Sequence, residues 1–290
     1  MSLVFSKNVL LTVIGGVGYN ETADHMESKT ISTVYGNVSV LFFSISEGNE
    51  IAFISRHQGK NHVPPHKINF LSLIEAAKQI KAPVLSVNSV GIMRNIPLIS
   101  NKAKLSSFPD SQTEDLIVTP DRFFDFPFFI PEDFIDMTKN RIGTFYDEQT
   151  VHTDMTDPYC SHLRNLICSI FDEKEISYSK GIYLCTQGPR FETKAEIQMY
   201  AHFADVVGMT GVPEVVLAKE AGLCYASVCV ISNPASGLGQ NMLTADEVKE
   251  SVKKTQKKVF EIISDLAISL KNQKTDFKCF CKKATLNGKL

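Results

Sequence analysis

The sequence predicts an α/β fold in a single domain, on three observations. Strand-like apolar runs alternate with segments of helical periodicity along most of the chain. At 290 residues it is long enough for one large domain with a well-buried core. Capping-box spacings and Gly/Pro punctuation mark helix starts and stops, most clearly in the second half.

The elements follow in order. Val9–Ile14 reads as a buried strand running into the turn Gly15-Gly16-Val17-Gly18. Val38–Ser44 and Ile51–Ile54 read as strands joined through Glu47-Gly48-Asn49. Phe70–Ile80 has a helical apolar face of Leu73, Ile74, Ala77 and Ile80, and Val84–Val87 is the next strand. Gly181–Cys185 is a strand ending at the turn Gly188-Pro189. Thr193-Lys194-Ala195-Glu196 has capping-box spacing and opens a helix. Pro213 suits the first turn of another helix and Gly222 its C-terminal stop. Leu223–Ser232 is a buried strand, and Thr244-Ala245-Asp246-Glu247 opens a long final helix. Residues 93–131, rich in Pro, Ser, Asn, Phe and charge, break this rhythm and read as an insertion in a domain spanning 1–270. Its aromatic run at 123–129 is open to reading as core, lid or interface. Residues 271–290 read as a polar, mobile C-terminal tail.

Composition narrows the function classes. A formal net charge of −2 gives no electrostatic reason to expect nucleic acid. The run Val9–Ile14 is too short to span a bilayer, and no cleavage site follows it, so no membrane association, no signal peptide and a cytoplasmic location are expected. Seven scattered cysteines do not suggest a disulfide framework. Cys185, Cys224 and Cys229 read as small core residues; Cys279 and Cys281 read as free thiols on the tail, since two ligands alone make a weak metal site.

Polar residues cluster just after strands: Arg56-His57, Asn88-Ser89, Gln187 to Glu192, Met209-Thr210 and Ser232-Asn233. In open α/β sheets the ligand crevice lies outside the carboxyl ends of the strands, so these five ends aim at one place. Arg56 beside His57, with a glycine turn, suits an oxyanion such as phosphate. The turn is not a dinucleotide fingerprint, because the helix and acidic partner that motif needs are not evident.

Gly188-Pro189-Arg190-Phe191-Glu192-Thr193, then Val207-Gly208-Met209-Thr210-Gly211-Val212-Pro213-Glu214, then Ser232-Asn233 resembles the core of trimeric purine nucleoside phosphorylases and their methylthioadenosine and methylthioinosine relatives. Asn88-Ser89-Val90-Gly91, Phe145-Tyr146-Asp147 and Asp157-Pro158-Tyr159-Cys160 also match. The resemblance implies a mixed central β-sheet flanked by helices, a homotrimer, and phosphorolysis of a purine nucleoside with inorganic phosphate as co-substrate and no cofactor or metal. By the same resemblance, Arg56, His57, Asn88, Thr210 and, through its backbone, Ser89 would hold phosphate. Phe191 and Glu192 would meet the base, Met209 the ribose, and Ser232 and Ala235 would border that pocket. Asn233 would act catalytically on N7 of the leaving purine, and His62 could enter a neighbouring subunit's 5′ pocket.

The base can be read chemically. A Glu192 carboxylate accepts from the N1–H of a 6-oxopurine but would face the N1 lone pair of adenine. Asn233 can donate to N7 or O6, so inosine-, guanosine- or 5′-methylthioinosine-type substrates are expected. The family members selective for a 5′-hydroxyl carry a His where Ala245 aligns, so a methylthio group is tolerated here. Two residues depart on the phosphate side: Val17 replaces a hydroxyl ligand, keeping only its backbone N–H, and Ile92 replaces a Ser. Losing one hydrogen bond to a charged group costs roughly 1.5–3 kcal/mol. A hydrolytic or non-catalytic nucleoside-binding relative is therefore the alternative.

Overall fold

The computed structural model describes residues 8–16, 26–58, 62–96, 99, 127–239, 244–272, 278–286 and 288. Among the described residues nine strands form one sheet, and five α-helices cover it. The expected mixed α/β domain is what the chain adopts.

The first half contributes β1 (Asn8–Gly15), β2 (Met26–Thr33), β3 (Gly36–Ser46), β4 (Asn49–Ser55), α1 (Phe70–Ile80) and β5 (Val84–Ile92). The second half contributes β6 (Phe128–Met137), α2 (Ser161–Glu173), β7 (Tyr178–Thr186), α3 (Lys194–Tyr200), β8 (Val206–Gly208), α4 (Gly211–Glu220), β9 (Tyr225–Pro234) and α5 (Ala245–Asn272). Asn69 caps α1 by accepting from the Ser72 N–H, and Lys81 ends that helix in the left-handed region. Thr193 and Glu196 complete the capping box that starts α3.

Strand order is β2-β3-β4-β1-β5-β8-β7-β6-β9, and β9 pairs back onto β5. Strands β5, β8, β7, β6 and β9 thereby close a ring, from which β1, β4, β3 and β2 extend as an open wing. Across the sheet β1, β4, β5 and β9 are mutually parallel, whereas β8 meets β5 antiparallel. Helices α1 and α4 pack together on one face, and α2 and α5 on the other. Leu73, Ile74, Val215 and Leu217 fill the first layer; Leu163, Ile167, Phe171, Val259, Ile263 and Leu266 fill the second. Among the described residues no helix is long and apolar enough to cross a membrane.

Two expectations need correcting. The stretch 93–131, expected to break the rhythm as an insertion, has core residues at both ends: Met93 and Ile96 are buried, and Phe128, Phe129 and Ile130 open β6 in the core. Phe128 and Phe129 are therefore core residues, while Phe123, Phe124 and Phe126 lie outside the described residues. Residues 278–286, expected as a mobile end, lie against the body. The Asp154 N–H donates to the Ala284 carbonyl and the His152 N–H to that of Gly288, and Cys281 is buried. Polarity suggested a solvated tail, but backbone pairing ties this segment down, with Cys281 buried and Cys279 half-buried.

Candidate active site

The end of β5 is where the site is assembled. Gly91 pairs with Val207 of β8 on one side and Asn233 of β9 on the other. A Cβ at Gly91 would stand 3.2 Å from Asn233 Nδ2, so only glycine admits this approach without displacement. The antiparallel entry of β8 brings Met209 and Thr210 to the carboxyl ends of β4, β5 and β9. There a cavity of about 440 Å³ opens, lined by residues of all these ends.

One part of its lining brings together Gly16, Arg56, His57, Ser89 and Thr210. Arg56 is nearly buried, and its guanidinium is held from below. Nε donates to Glu214 Oε2 (2.7 Å), and Nη2 faces Glu214 Oε1 (3.1 Å), Ser86 Oγ (2.8 Å) and the Ile14 carbonyl (3.1 Å). One Nη1 hydrogen goes to the Val87 carbonyl (3.1 Å). A guanidinium has five N–H groups, so one Nη1 hydrogen remains for the cavity. Burial disfavours the Arg56 charge, but Glu214, with smaller help from Tyr225 and Tyr183, raises its pKa above the ordinary value.

Glu214 is the group that sequence reasoning missed. It is fully buried and accepts from Arg56, Ser86 Oγ (2.6 Å) and Tyr225 OH (2.9 Å). Its signal was present: one carboxylate in the apolar run Gly211–Ala218 needs a buried cation.

Burial lowers His57 to a pKa of about 4, and Arg56 adds to the shift. Its Nδ1 lies 2.7 Å from the Val63 carbonyl, which can only accept, so Nδ1 carries the proton and Nε2 the lone pair. His62 stacks on it, ring centroids 4.0 Å apart, and lines the same cavity.

The same cavity is also lined by Phe191, Glu192, Met209, Ser232 and Asn233. Glu192 is buried, and Thr186 Oγ1 donates to its Oε1 at 2.5 Å. The segment that delivers it is fixed at both ends. Arg141 donates to the Gln187 carbonyl (2.7 Å), and Arg190 pairs with Glu196 (2.7 Å) inside the capping box. Ser232 Oγ donates to Asn233 Oδ1 (2.7 Å), while Asn233 Nδ2 donates one hydrogen to the Pro234 carbonyl (2.7 Å). This network fixes the amide's orientation and leaves its second N–H for a ligand. From α5, Val248, Val252, Lys253 and Gln256 close the remaining wall, and sequence reasoning named none of them as site residues.

Several expected site residues fall elsewhere. Asn88 does not line the cavity: its Nδ2 donates to Ser86 and Ser227, and its Oδ1 accepts from Thr210 Oγ1 (3.0 Å). It braces the floor beneath Thr210. Ala235 is buried behind Gly91, its N–H bonded to the Ile92 carbonyl. Ile92 is a core residue, so its replacement of Ser leaves the cavity wall unchanged. Val17 and the side chain of Ala245 lie outside the described residues.

A family model described as the phosphorylase superfamily matches residues 126–268. A protein of Methanosarcina acetivorans named "probable S-methyl-5′-thioinosine phosphorylase" is 44% identical over 88% of this chain and 88% of its own. The chain belongs to the phosphorylase superfamily. A second superfamily relative, a "probable 6-oxopurine nucleoside phosphorylase" of Dictyoglomus turgidum, is 37% identical over 94% of this chain and 95% of its own. A crystal structure of a methylthioadenosine phosphorylase from an antarctic soil metagenomic library superposes with a TM-score of 0.78 at 24% identity, covering 98% of this chain and 93% of that one. At that identity it speaks to the superfamily fold alone. The resemblance read from Gly188 to Asn233 is thus borne out for family and fold.

Proposed function

We propose that this superfamily member catalyses phosphorolysis of a 6-oxopurine nucleoside, with 5′-methylthioinosine, inosine and guanosine as the substrate set. The observation that carries the reading is the pairing of Glu192 and Asn233 on one wall of the cavity. Thr186 holds one Glu192 oxygen, leaving the other to accept the N1–H of a 6-oxopurine. Adenine would set a lone pair against that carboxylate, a mismatch worth about 1–3 kcal/mol. The names of the two relatives agree with this choice of base.

Inorganic phosphate is the proposed co-substrate, received by the remaining Arg56 N–H, His57, Thr210 and the Ser89 backbone. A phosphate oxygen bonds to the anomeric carbon as the bond from that carbon to the purine N9 breaks. The electron pair leaves with the purine, and the second Asn233 N–H donates to N7 as negative charge builds there. This is electrostatic stabilisation of the transition state, with no covalent enzyme intermediate. Phe191, 38% exposed at the mouth, would cover the base, and Met209 would lie against the ribose. Val248 and Val252 give the α5 wall an apolar part beside Lys253 and Gln256, and that part suits a 5′ methylthio group. Exposed Met199 and Phe203, on and just after α3, are apolar surface that a subunit interface of the proposed homotrimer would cover.

Base selectivity tests the reading. Purified protein with phosphate should release hypoxanthine from inosine or 5′-methylthioinosine far faster than adenine from 5′-methylthioadenosine. The reverse order would show that Glu192 does not read N1–H.

A further inference from the structure

Four cysteines far apart in sequence meet at the pole of the fold opposite the cavity. Cys160 caps α2, Cys224 precedes β9, and Cys279 and Cys281 come from the C-terminal segment. Their four Sγ atoms all lie within 4.8 Å of one another, and those of Cys224 and Cys279 are 3.5 Å apart. All four are free thiols. Zinc–thiolate bonds of about 2.3 Å in a tetrahedron set sulfur atoms roughly 3.8 Å apart, which fits this spacing.

We propose that Cys160, Cys224, Cys279 and Cys281 form a structural tetrathiolate site for a zinc-class divalent cation. All four positions are supplied by the protein, so the site is closed and holds the ion for stability rather than catalysis. Four sulfurs with no nitrogen or carboxylate oxygen among them select a soft, tetrahedral ion over magnesium or calcium.

The scaffold under the sulfurs is already rigid. The Cys160 N–H donates to the Tyr225 carbonyl (2.7 Å), and the Cys224 carbonyl accepts from the Val84 N–H (2.8 Å). The tail side is set by a short helical turn at Cys281–Lys283 and by the backbone bonds of Ala284 and Gly288 to residues 154 and 152. Cys160 stands at the N-terminus of α2, where the unpaired N–H groups of the first turn favour the negative charge that a metal-bound thiolate carries. Binding a divalent ion to four thiols releases four protons and leaves a site of charge −2, beside Lys282 and Lys283.

The ion would tie the C-terminal segment to the start of β9. Asn233 lies nine residues along that strand, roughly 30 Å away at about 3.3 Å per residue, so the staple acts on folding and not on the reacting atoms. The test uses the full chain, purified under reducing conditions without chelator. Elemental analysis should find one zinc per chain, and cobalt(II) exchanged into the site should give the intense visible bands of tetrahedral thiolate coordination. Cys279→Ser and Cys281→Ser should each lose at least nine-tenths of the bound zinc, whereas Cys168→Ser, a buried thiol outside the cluster, should retain it. A wild-type chain that retains no zinc, shows only octahedral cobalt, or carries a disulfide among these four residues would overturn the proposal. Because zinc content and cobalt spectra are read on the wild type, the test stands even if a variant fails to fold.

Discussion

Replacing Glu214 by Gln isolates the buried pair beneath the proposed phosphate site. The carboxylate is fully buried and accepts four hydrogen bonds: two from Arg56 and one each from Ser86 and Tyr225. Glutamine preserves volume but removes the charge, and its NH₂ group must face at least one of those donors. The Arg56 guanidinium, itself buried, then stands without a counter-charge. Breaking one partner of such a pair costs about 3–5 kcal/mol, against about 0–1 kcal/mol for a surface pair. Ser86→Ala and Tyr225→Phe each remove one neutral donor to the carboxylate and should cost about 1.5–3 kcal/mol. Urea unfolding of the three variants would supply the ranking, and phosphate KM should rise in Glu214→Gln because Arg56 loses its anchor. A Glu214→Gln protein within about 1 kcal/mol of wild type, with unchanged phosphate KM, would refute the view that this pair builds the site.

Glu192→Gln offers an amide N–H to the N1 of adenine and removes the acceptor for N1–H. The ratio of kcat/KM for 5′-methylthioinosine over 5′-methylthioadenosine should fall about 10- to 100-fold, and an unchanged ratio would contradict the base assignment. Asn233→Ala should lower kcat by about 10²-fold or more with a smaller change in KM, as steady-state kinetics would reveal. His57 has a folded pKa of about 4, below its ordinary 6.5. Between these values the unfolded chain binds the proton and the folded chain does not, so its contribution to stability is complete above pH 6.5 and is lost as pH falls toward 4. Thermal melts over that window should show a shallower pH slope for His57→Gln than for wild type. Phosphate binding should take up a proton near pH 6, because a bound anion favours the charged ring; isothermal titration in buffers of different ionisation enthalpy measures this.

Local signals carried much of the fold. The Thr193–Glu196 capping box, the Phe70–Ile80 helix and the apolar runs of β1, β4 and β9 each declare themselves within a few residues. Strand β2 did not, because Met26–Thr33 is a polar edge with Ile31 its one buried residue. Strand β8 did not, because three residues give no periodicity. Closure of the ring is set by pairing between β5 and β9, which are distant in sequence, and no local pattern encodes it.

For the site, residue types following strands identified Arg56, His57, Thr210, Glu192 and Asn233, all of which border one cavity. Asn88 looked the same in sequence but points into the floor, since a strand's alternate residues face opposite ways. The wall from α5 was hidden because Val248 and Val252 have the periodicity of a core face. The cysteine cluster was hidden for a simpler reason: only folding brings Cys160 and Cys224 to the Cys279-Phe280-Cys281 segment.

The nucleophile is the central claim, and product identity tests it most directly. Incubated with 5′-methylthioinosine and phosphate, the protein should yield hypoxanthine and 5-methylthioribose 1-phosphate in equal amounts by mass spectrometry, with no release when phosphate is omitted. Free 5-methylthioribose forming at the same rate with or without phosphate would show that water attacks the anomeric carbon, and would contradict the account.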